Sequence, residues 1–283
     1  MNTVYAVYIV FNPDLSRLKK SVLGALEQVD KVIIYMNSYI DEDNVVNSDR
    51  VEFIGCCNND GVSGMNAAIS WALDDGADYV VIQDQDSLLP KNYISDSLPH
   101  IVNSLAVVAP QFYDKERSRP SNYNKSKFQP IEGFESTKFV IGSGMLLSRG
   151  VINICGLFEG KFFLDCVDIE YCFRLNYYKI PIYVNKNAVM EHSIGDDCLI
   201  LFGIKFSLHS PFRHYLYYKN SLSLISRGYT PLLWKVKQTL KITLQWLIYT
   251  VFSKDKLPNF KAFPLAFIDL IFKKDPLDRL NLF

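Results

Sequence analysis

The sequence predicts an α/β fold, a mostly parallel sheet flanked by helices, followed by a helical C-terminal extension. Three observations predict it. In the first half, short runs of β-branched and aromatic residues alternate with stretches of helical apolar spacing. One of those runs, Tyr79-Val-Val-Ile-Gln-Asp84-Gln-Asp86-Ser87, leads straight into two carboxylates, at the strand end where open α/β sheets place ligands. In the last third the strand pattern gives way to long helical periodicity. At 283 residues the chain can bury a large core and carry an appendage. The expected division is an α/β domain over 1–210 and a helical extension over 211–283.

Val4–Val10 reads as the first strand. No basic segment precedes it, so the N-terminus does not read as a signal peptide. Residues 15–28 have helical spacing, 32–36 and Val51–Ile54 are strand-like, and 64–73 form a second helix. Residues 79–82 and 106–109 are the next strands. Strand–helix alternation implies right-handed βαβ units. The polar segment 113–130, with several Asn, Ser and Lys residues, interrupts the pattern and reads as a mobile loop. A strand pair (138–141 and 145–148), a helix near 167–178 and a strand ending at Glu191-His192 follow. Pro211–Ser226 is helical, and a second helical run continues from Leu232 to Phe252.

The uncharged stretch 242–253 is too short for a bilayer, which needs about 20 apolar residues. Lys235, Lys237 and Lys241 beside Trp234 and Trp246 fit an amphipathic helix lying in an anionic membrane interface. The apolar segment 260–272, ending in Lys273-Lys274, adds to that reading. The alternative packs this face on its own domain or on a partner subunit, as in a homo-oligomer, and both remain open. Thirty basic and thirty acidic residues balance to zero, so the totals imply no nucleic-acid-binding face. The six cysteines have no CxxC or zinc spacing and read as reduced thiols of a cytoplasmic protein.

On an extended tail, Asp84 and Asp86 point to one side, and two adjacent oxygen donors suit a hard divalent cation that also holds a phosphate. Taken alone, the motif reads equally as a turn. Asn58-Asn-Asp60-Gly61-Val-Ser63-Gly64-Met-Asn66 is a turn feeding a helix. Its glycines permit close backbone approach, and first-turn amides attract anions such as a nucleotide diphosphate. A tight turn with Ser63 as N-cap is the other reading. Gly142-Ser143-Gly144 leaves room for a ligand against the backbone, or marks a bulge. Asp165 and Asp168, three apart at a helix start, can both project from its first turn. Asp165 also suits an N-cap, and the helix dipole favours Asp168. Glu170 and Arg174 are spaced as a structural ion pair. A carboxylate held near a sugar hydroxyl can take its proton, and Asp168 has the least structural reason to be there. His192 at a strand end is either a metal or phosphate ligand or a hydrogen-bonded structural residue.

Together and in this order, several pieces resemble the family-2 glycosyltransferases of the GT-A fold, bacterial rhamnosyltransferases in particular. They are Tyr8-Ile-Val-Phe-Asn12-Pro, Asn59-Asp-Gly-Val-Ser-Gly-Met-Asn66-Ala-Ala, Asp84-Gln-Asp86-Ser87 and Gly142-Ser-Gly-Met. Phe163-Leu-Asp165-Cys-Val-Asp168-Ile-Glu-Tyr-Cys-Phe-Arg174, His192-Ser and Arg213-His-Tyr-Leu-Tyr-Tyr-Lys-Asn220 follow. The resemblance covers roughly residues 4–220. It implies that Asp86 and Asp84 hold a divalent metal, Mg2+ or Mn2+, on the donor diphosphate, with His192 as a further ligand. Asp84 touching the donor's sugar or ribose is the other assignment. It further implies that Asp168 is the base, that Asn12, Asn37, Asp60, Gly61, Gly64, Asn66, Asp84 and Gly144 bind the donor, and that Asp165 and Arg213 lie on the acceptor side.

The implied reaction is inverting transfer of a deoxysugar, L-rhamnose from dTDP-L-rhamnose, to a sugar hydroxyl of a lipid-linked oligosaccharide. That would serve O-antigen or other surface-polysaccharide synthesis at the inner face of the cytoplasmic membrane. Two departures stand out. Val167-Asp168 replaces the Glu-Asp of many relatives, and Lys219-Asn220 replaces Arg-Asn, keeping the charge but losing bidentate geometry. Asp84-x-Asp86-Ser-Leu also resembles the motif of haloacid-dehalogenase-like phosphatases, with Asp84 as nucleophile and Asp86 as acid–base. Gly195-Asp196-Asp197 likewise resembles their late acidic motif. Against that, the two-aspartate motif does not sit on the first strand, and no third acid follows Asp197 at the short spacing the late motif wants. A nucleotide-sugar-binding subunit without activity is the third reading.

Overall fold

The computed structural model describes residues 2–55, 57–102, 104–114, 119–120, 126–192, 198–201 and 204–283. They form two compact units: Met1–Lys161 with Val167–Ile194, and Phe162–Cys166 with Gly195–Phe283.

The first unit is built on a nine-stranded sheet. Its opening half runs β1 (Val4–Val10), α1 (Leu15–Leu26), β2 (Lys31–Met36), β3 (Val51–Ile54), α2 (Val62–Asp74) and β4 (Tyr79–Asp84). These strands are all parallel, in the order β3-β2-β1-β4. Both faces are covered, which is why β1 reads as an uninterrupted apolar run. Ala6 and Tyr8 pack with Leu18, Val22 and Ala25 of α1. Tyr5 and Val7 pack with Ala68, Ile69 and Ala72 of α2 on the other face. Asp14 caps α1, its carboxylate accepting from the amides of Ser16 and Arg17.

The rest of the unit adds α3 (Tyr93–Ile101), β5 (Val107–Asp114), β6 (Arg119–Pro120), β7 (Phe134–Thr137), β8 (Leu146–Ser148), α4 (Arg149–Cys155), α5 (Val167–Tyr177) and β9 (Ile182–His192). The order continues β4-β8-β5-β9-β7. β8 is antiparallel to both neighbours, β9 is parallel to β5, and β7 is antiparallel to β9. The sheet is thus mixed beyond β4. Three expectations need correction. The strand expected over 138–141 is displaced to β7. Phe139 and Val140 are held by side-chain packing, Val140 in the core and Phe139 edge-on to Phe173, and not by a ladder. β5 runs five residues past the expected end, into the segment read as a loop, because β9 supplies a partner as far as Asp114. Helices α3 and α4 were not anticipated. α3 carries Pro99, an unfavourable interior residue, and α4 is only seven residues long. Much of 113–130 lies outside the described residues.

The second unit contains a hairpin, β10 (Cys198–Leu201) with β11 (Ile204–Ser207), and three helices, α6 (Pro211–Ser226), α7 (Leu232–Phe252) and α8 (Lys256–Ile271). Ser210 caps α6 and Pro211 opens it. The apolar core is Tyr215, Leu216, Tyr218, Ile242, Ala262 and Ala266. Polar pairs lie within it. Arg279 binds Asp269 through Nε and Nη2 at 2.8 and 2.7 Å, and Tyr215 donates to the same carboxylate. Asn259 bonds the His214 ring nitrogen Nδ1 at 2.7 Å. Among the described residues no helix is long and apolar enough to cross a membrane. One sequence expectation changes here. Trp246 does not line an outer face: it stacks on Phe260 and Phe263, and its ring N–H donates to the Phe260 carbonyl.

Candidate active site

In the order β3-β2-β1-β4 the chain winds outward from β1 to β3 and then returns to the other side of β1. The reversal leaves a crevice beyond the carboxyl ends of β1 and β4, the place where open α/β sheets bind ligands. Asp84 ends β4 there, opposite Ile9 of β1. Because side chains alternate along a strand, Asp84 faces the same side as Val80 and Ile82, the side covered by α2 and α5.

Past Asp84 the chain does not stay extended. The Ser87 amide bonds the Asp84 carbonyl at 3.3 Å, closing a turn with Gln85 and Asp86 at its centre. The expected alternation of Asp84 and Asp86 on one side of an extended tail is therefore replaced by a turn. The motif is a turn, and it presents two carboxylates, Asp84 half-buried and Asp86 exposed. Gln85, which sequence reasoning passed over, fixes this turn. Its side chain accepts from the Phe11 amide at 2.8 Å and donates to the Phe11 carbonyl at 3.3 Å, tying the β1 loop to the β4 loop. Its chain position between two aspartates was the only signal.

The other residues that the family resemblance assigns to the donor lie in the loops and turns around this edge and at the start of α2. Asn12, in the left-handed region at φ 44°, donates its amide to Ser38 at 2.7 Å. Buried Asn37 brackets the loop before α2, accepting from the Asp60 amide at 3.1 Å and donating to the Gly61 carbonyl at 3.4 Å. Tyr35 donates to the Asp60 carboxylate at 2.7 Å. Gly61 precedes α2 with φ 53°, and an added Cβ at Gly64 would lie 2.5 Å from the Tyr35 ring. Gly64 thus serves helix–strand approach. The side-chain amide of Asn66 bonds both the amide and the carbonyl of Phe158, at 3.0 and 2.9 Å, so it clamps a loop. Gly144 has φ 79°, and a Cβ there would sit 2.5 Å from Pro110. It closes the turn into β8, and the Ser143 hydroxyl accepts from the Asp84 amide at 3.4 Å.

Asp168 stands in the first turn of α5, half-buried. α5 joins β9 through residues 178–181 only, and β9 runs parallel to β5 and, through antiparallel β8, to β4. The C-terminal end of α5 is therefore at the amino edge of the sheet, and its N-terminal end at the carboxyl edge with Asp84. Burial pushes the Cys172 thiol up to about 12, with Asp168 and Glu170 adding to the rise, so that thiol is no nucleophile. Glu170 and Arg174 form the expected ion pair at 2.7 Å, and Arg174 also bonds the carbonyls of Cys155 and Leu157. His192 ends β9 at the same edge, but its side chain lies outside the described residues, as do residues 193–197.

Asp165 behaves differently from expectation. α5 begins at Val167, so Asp165 is outside its first turn, in a left-handed pair with Cys166 at φ 59° and 61°. Its carboxylate faces Arg213 of the same unit, with Nε at 3.2 Å and Nη2 at 3.2 Å. Asn220 donates to the carbonyls of Leu164 and Asp165 at 2.6 and 3.0 Å. Lys219 is buried and bonds the Lys274 carbonyl at 2.6 Å, so the residue replacing the expected arginine works in helix packing.

The carboxyl edge thus offers two oxygen-donor side chains on a turn. Among the described residues no three His, Cys, Asp or Glu side chains gather into a closed metal cage. This donor set fits a hard cation that completes its shell with water and phosphate oxygens, not one that needs an all-protein cage.

No family model matches the chain. Over 95% of its length, and 95% of the relative's, it is 28% identical to the dTDP-rhamnosyl transferase RfbF of Shigella flexneri. Among solved structures it is similar to GalNAc-T7 with UDP, GalNAc and Mn2+, at TM-score 0.56 and 10% identity. That match covers 90% of this chain and 58% of the other, so the chain spans little more than half of that structure's length. It is also similar to S. aureus TarS 1-349, at TM-score 0.52 and 12% identity, covering 95% and 80%. The fold is of the GT-A type, and the near full-length relative agrees with the family-2 glycosyltransferase resemblance carried by the motifs.

Proposed function

We propose that this chain is an inverting family-2 glycosyltransferase that moves a deoxysugar, L-rhamnose from dTDP-L-rhamnose, to a sugar hydroxyl of a lipid-linked glycan. Its place would be O-antigen or related surface-polysaccharide synthesis. The observation that carries the reading is that the Asp84–Ser87 turn and the N-terminal turn of α5, with Asp168, both lie at the carboxyl edge of a GT-A sheet, in a chain similar over 95% of its length to a dTDP-rhamnosyl transferase. Asp86 and Asp84 would hold a divalent cation, Mg2+ or Mn2+, which when bound supplies charge neutralisation at the departing diphosphate. Asn12, Asn37, Asp60 and Gly61 shape the donor side of the crevice. Asp168 takes the proton of the acceptor hydroxyl. The acceptor oxygen forms its bond to the anomeric carbon from the face opposite the leaving group, and the carbon–oxygen bond to the diphosphate breaks with its electron pair leaving on dTDP.

The relative and the fold neighbours favour neither the phosphatase reading nor the binding subunit. A lipid-linked acceptor would keep the chain at the inner face of a membrane, peripherally, through the lysine-bearing helices of the second unit. A panel of nucleotide sugars tests the donor. Only dTDP-L-rhamnose with Mg2+ or Mn2+ should raise the thermal midpoint and be turned over. Stabilisation by another nucleotide sugar alone, or release of phosphate from a phosphate ester, would overturn the reading.

A further inference from the structure

The face of α7 turned away from its own unit is apolar along its whole length. Gln238, Ile242 and Tyr249 are buried. On the opposite side Leu233, Val236, Leu240, Leu244, Leu247 and Val251 are each 50–68% exposed. Their intervals of 3, 4, 4, 3 and 4 residues average one helical turn, so the stripe runs straight down the helix. A straight stripe matches a flat surface, whereas a coiled-coil seam follows a 3.5-residue period.

Charge decides between occupants. α7 has no acidic residue, and Lys237 and Lys241 follow one border of the stripe. Between residues 232 and 274 eight lysines face two aspartates, although the whole chain is neutral. One of those aspartates, Asp269, is fully buried against Arg279. A second copy of α7 laid on the first would bring lysines together with no acid to pair them. A surface of anionic headgroups complements both the apolar stripe and its cationic border.

We infer that α7 lies flat on an anionic lipid bilayer, with Leu233, Val236, Leu240, Leu244, Leu247 and Val251 in the acyl boundary and Lys237 and Lys241 at the headgroups. This rests on the peripheral-membrane part of the proposed function and assigns its face: a leucine stripe, with Trp246 turned inward.

Flotation of the full chain with phosphatidylcholine vesicles, with and without phosphatidylglycerol, tests it. The wild-type chain should float with the anionic vesicles and be largely released as salt rises from about 0.1 M to about 1 M. Leu240→Ser with Leu244→Ser, both exposed and dispensable for packing, should weaken that binding at least about tenfold. Phe267→Ser with Ile271→Ser on α8 is the control and should leave most of it. If the wild type binds and the α7 variant binds equally, the face is wrong while the peripheral reading stands. If the wild type ignores anionic vesicles, both fail. A dimer in sedimentation equilibrium that the α7 variant dissociates would assign the stripe to a second copy and overturn the lipid assignment. Turnover of the donor with a soluble acceptor should be the same in all variants, which separates these outcomes from failure of the transferase reading.

Discussion

In the first unit the strands β1, β2 and β4 are sealed on both faces by α1 and α2, and the site's polar side chains collect at one rim. The second unit has an apolar core of its own, with a set of polar side chains buried beside it. His214, Lys219, Asn220, Gln238, Asn259 and Asp269 are buried, while leucines and phenylalanines of α7 and α8 stand exposed. A buried polar group is tolerated only when it is hydrogen-bonded, and each of these has a named partner. The contrast teaches where to look for each kind of function. The proposed function places chemistry at the rim of the first unit and attachment on the outside of the second.

The strongest test of that division is Asp168→Asn, which should lower kcat by about a thousandfold, within the range of a lost general base. The thermal shift given by dTDP-L-rhamnose should be unchanged. If donor binding fell instead, Asp168 would be a donor ligand and the rim would have a different base. Asp269→Ala attacks the other unit. It leaves Arg279 and the Tyr215 hydroxyl without their carboxylate, and should cost about 3–5 kcal/mol in guanidinium unfolding followed by tryptophan fluorescence. A loss below about 1 kcal/mol would show that the Asp269 network does not act cooperatively.

Gly144→Ala should cost about 3 kcal/mol, combining a strained left-handed backbone with a methyl pressed on Pro110. Gln85→Ala is subtler. Losing the clamp on Phe11 should raise the donor KM about fivefold, the value of about 1 kcal/mol of hydrogen bonding, with kcat nearly constant. A fall in kcat alone would place Gln85 nearer the reacting atoms.

The smallest effect is a pH dependence confined to the second unit. Burial is the main cause holding the His214 imidazole below its usual value of about 6.5, so the native state prefers it neutral. The unfolded chain takes up a proton first as pH falls. The contribution is therefore complete above about pH 6.5 and is lost as pH drops toward the folded value. Thermal melts at pH 7.5 and 5.5 should differ more for the wild type than for His214→Gln. Equal differences would remove His214 from the account.

Much of the first unit was legible in the residues. β1 and β3 fall where their apolar runs are, and the Glu170–Arg174 pair follows from i, i+4 spacing alone. β7 and α3 were not legible. The run 138–141 is as apolar as a strand, and only the presence of Ser136 and Thr137 opposite Tyr183 and Ile182 shows which backbone enters the ladder. At the site, Asp84, Asp86 and Asp168 were readable as acids at element ends. The roles of Gln85, Asn66 and Asn220 were not, because each bonds backbone far away in sequence.

The residues alone carry the strand–helix alternation, the carboxylates at strand and helix ends, and a helical C-terminal extension. Those follow from local periodicity and from which side chains carry charge. Packing between distant segments set the rest: Asp84 and Asp86 share a turn, Asp165 pairs with Arg213 outside the first turn of α5, and leucines and not Trp246 form the outer face of α7. Each of these depends on which distant segment packs alongside, and no local pattern encodes that.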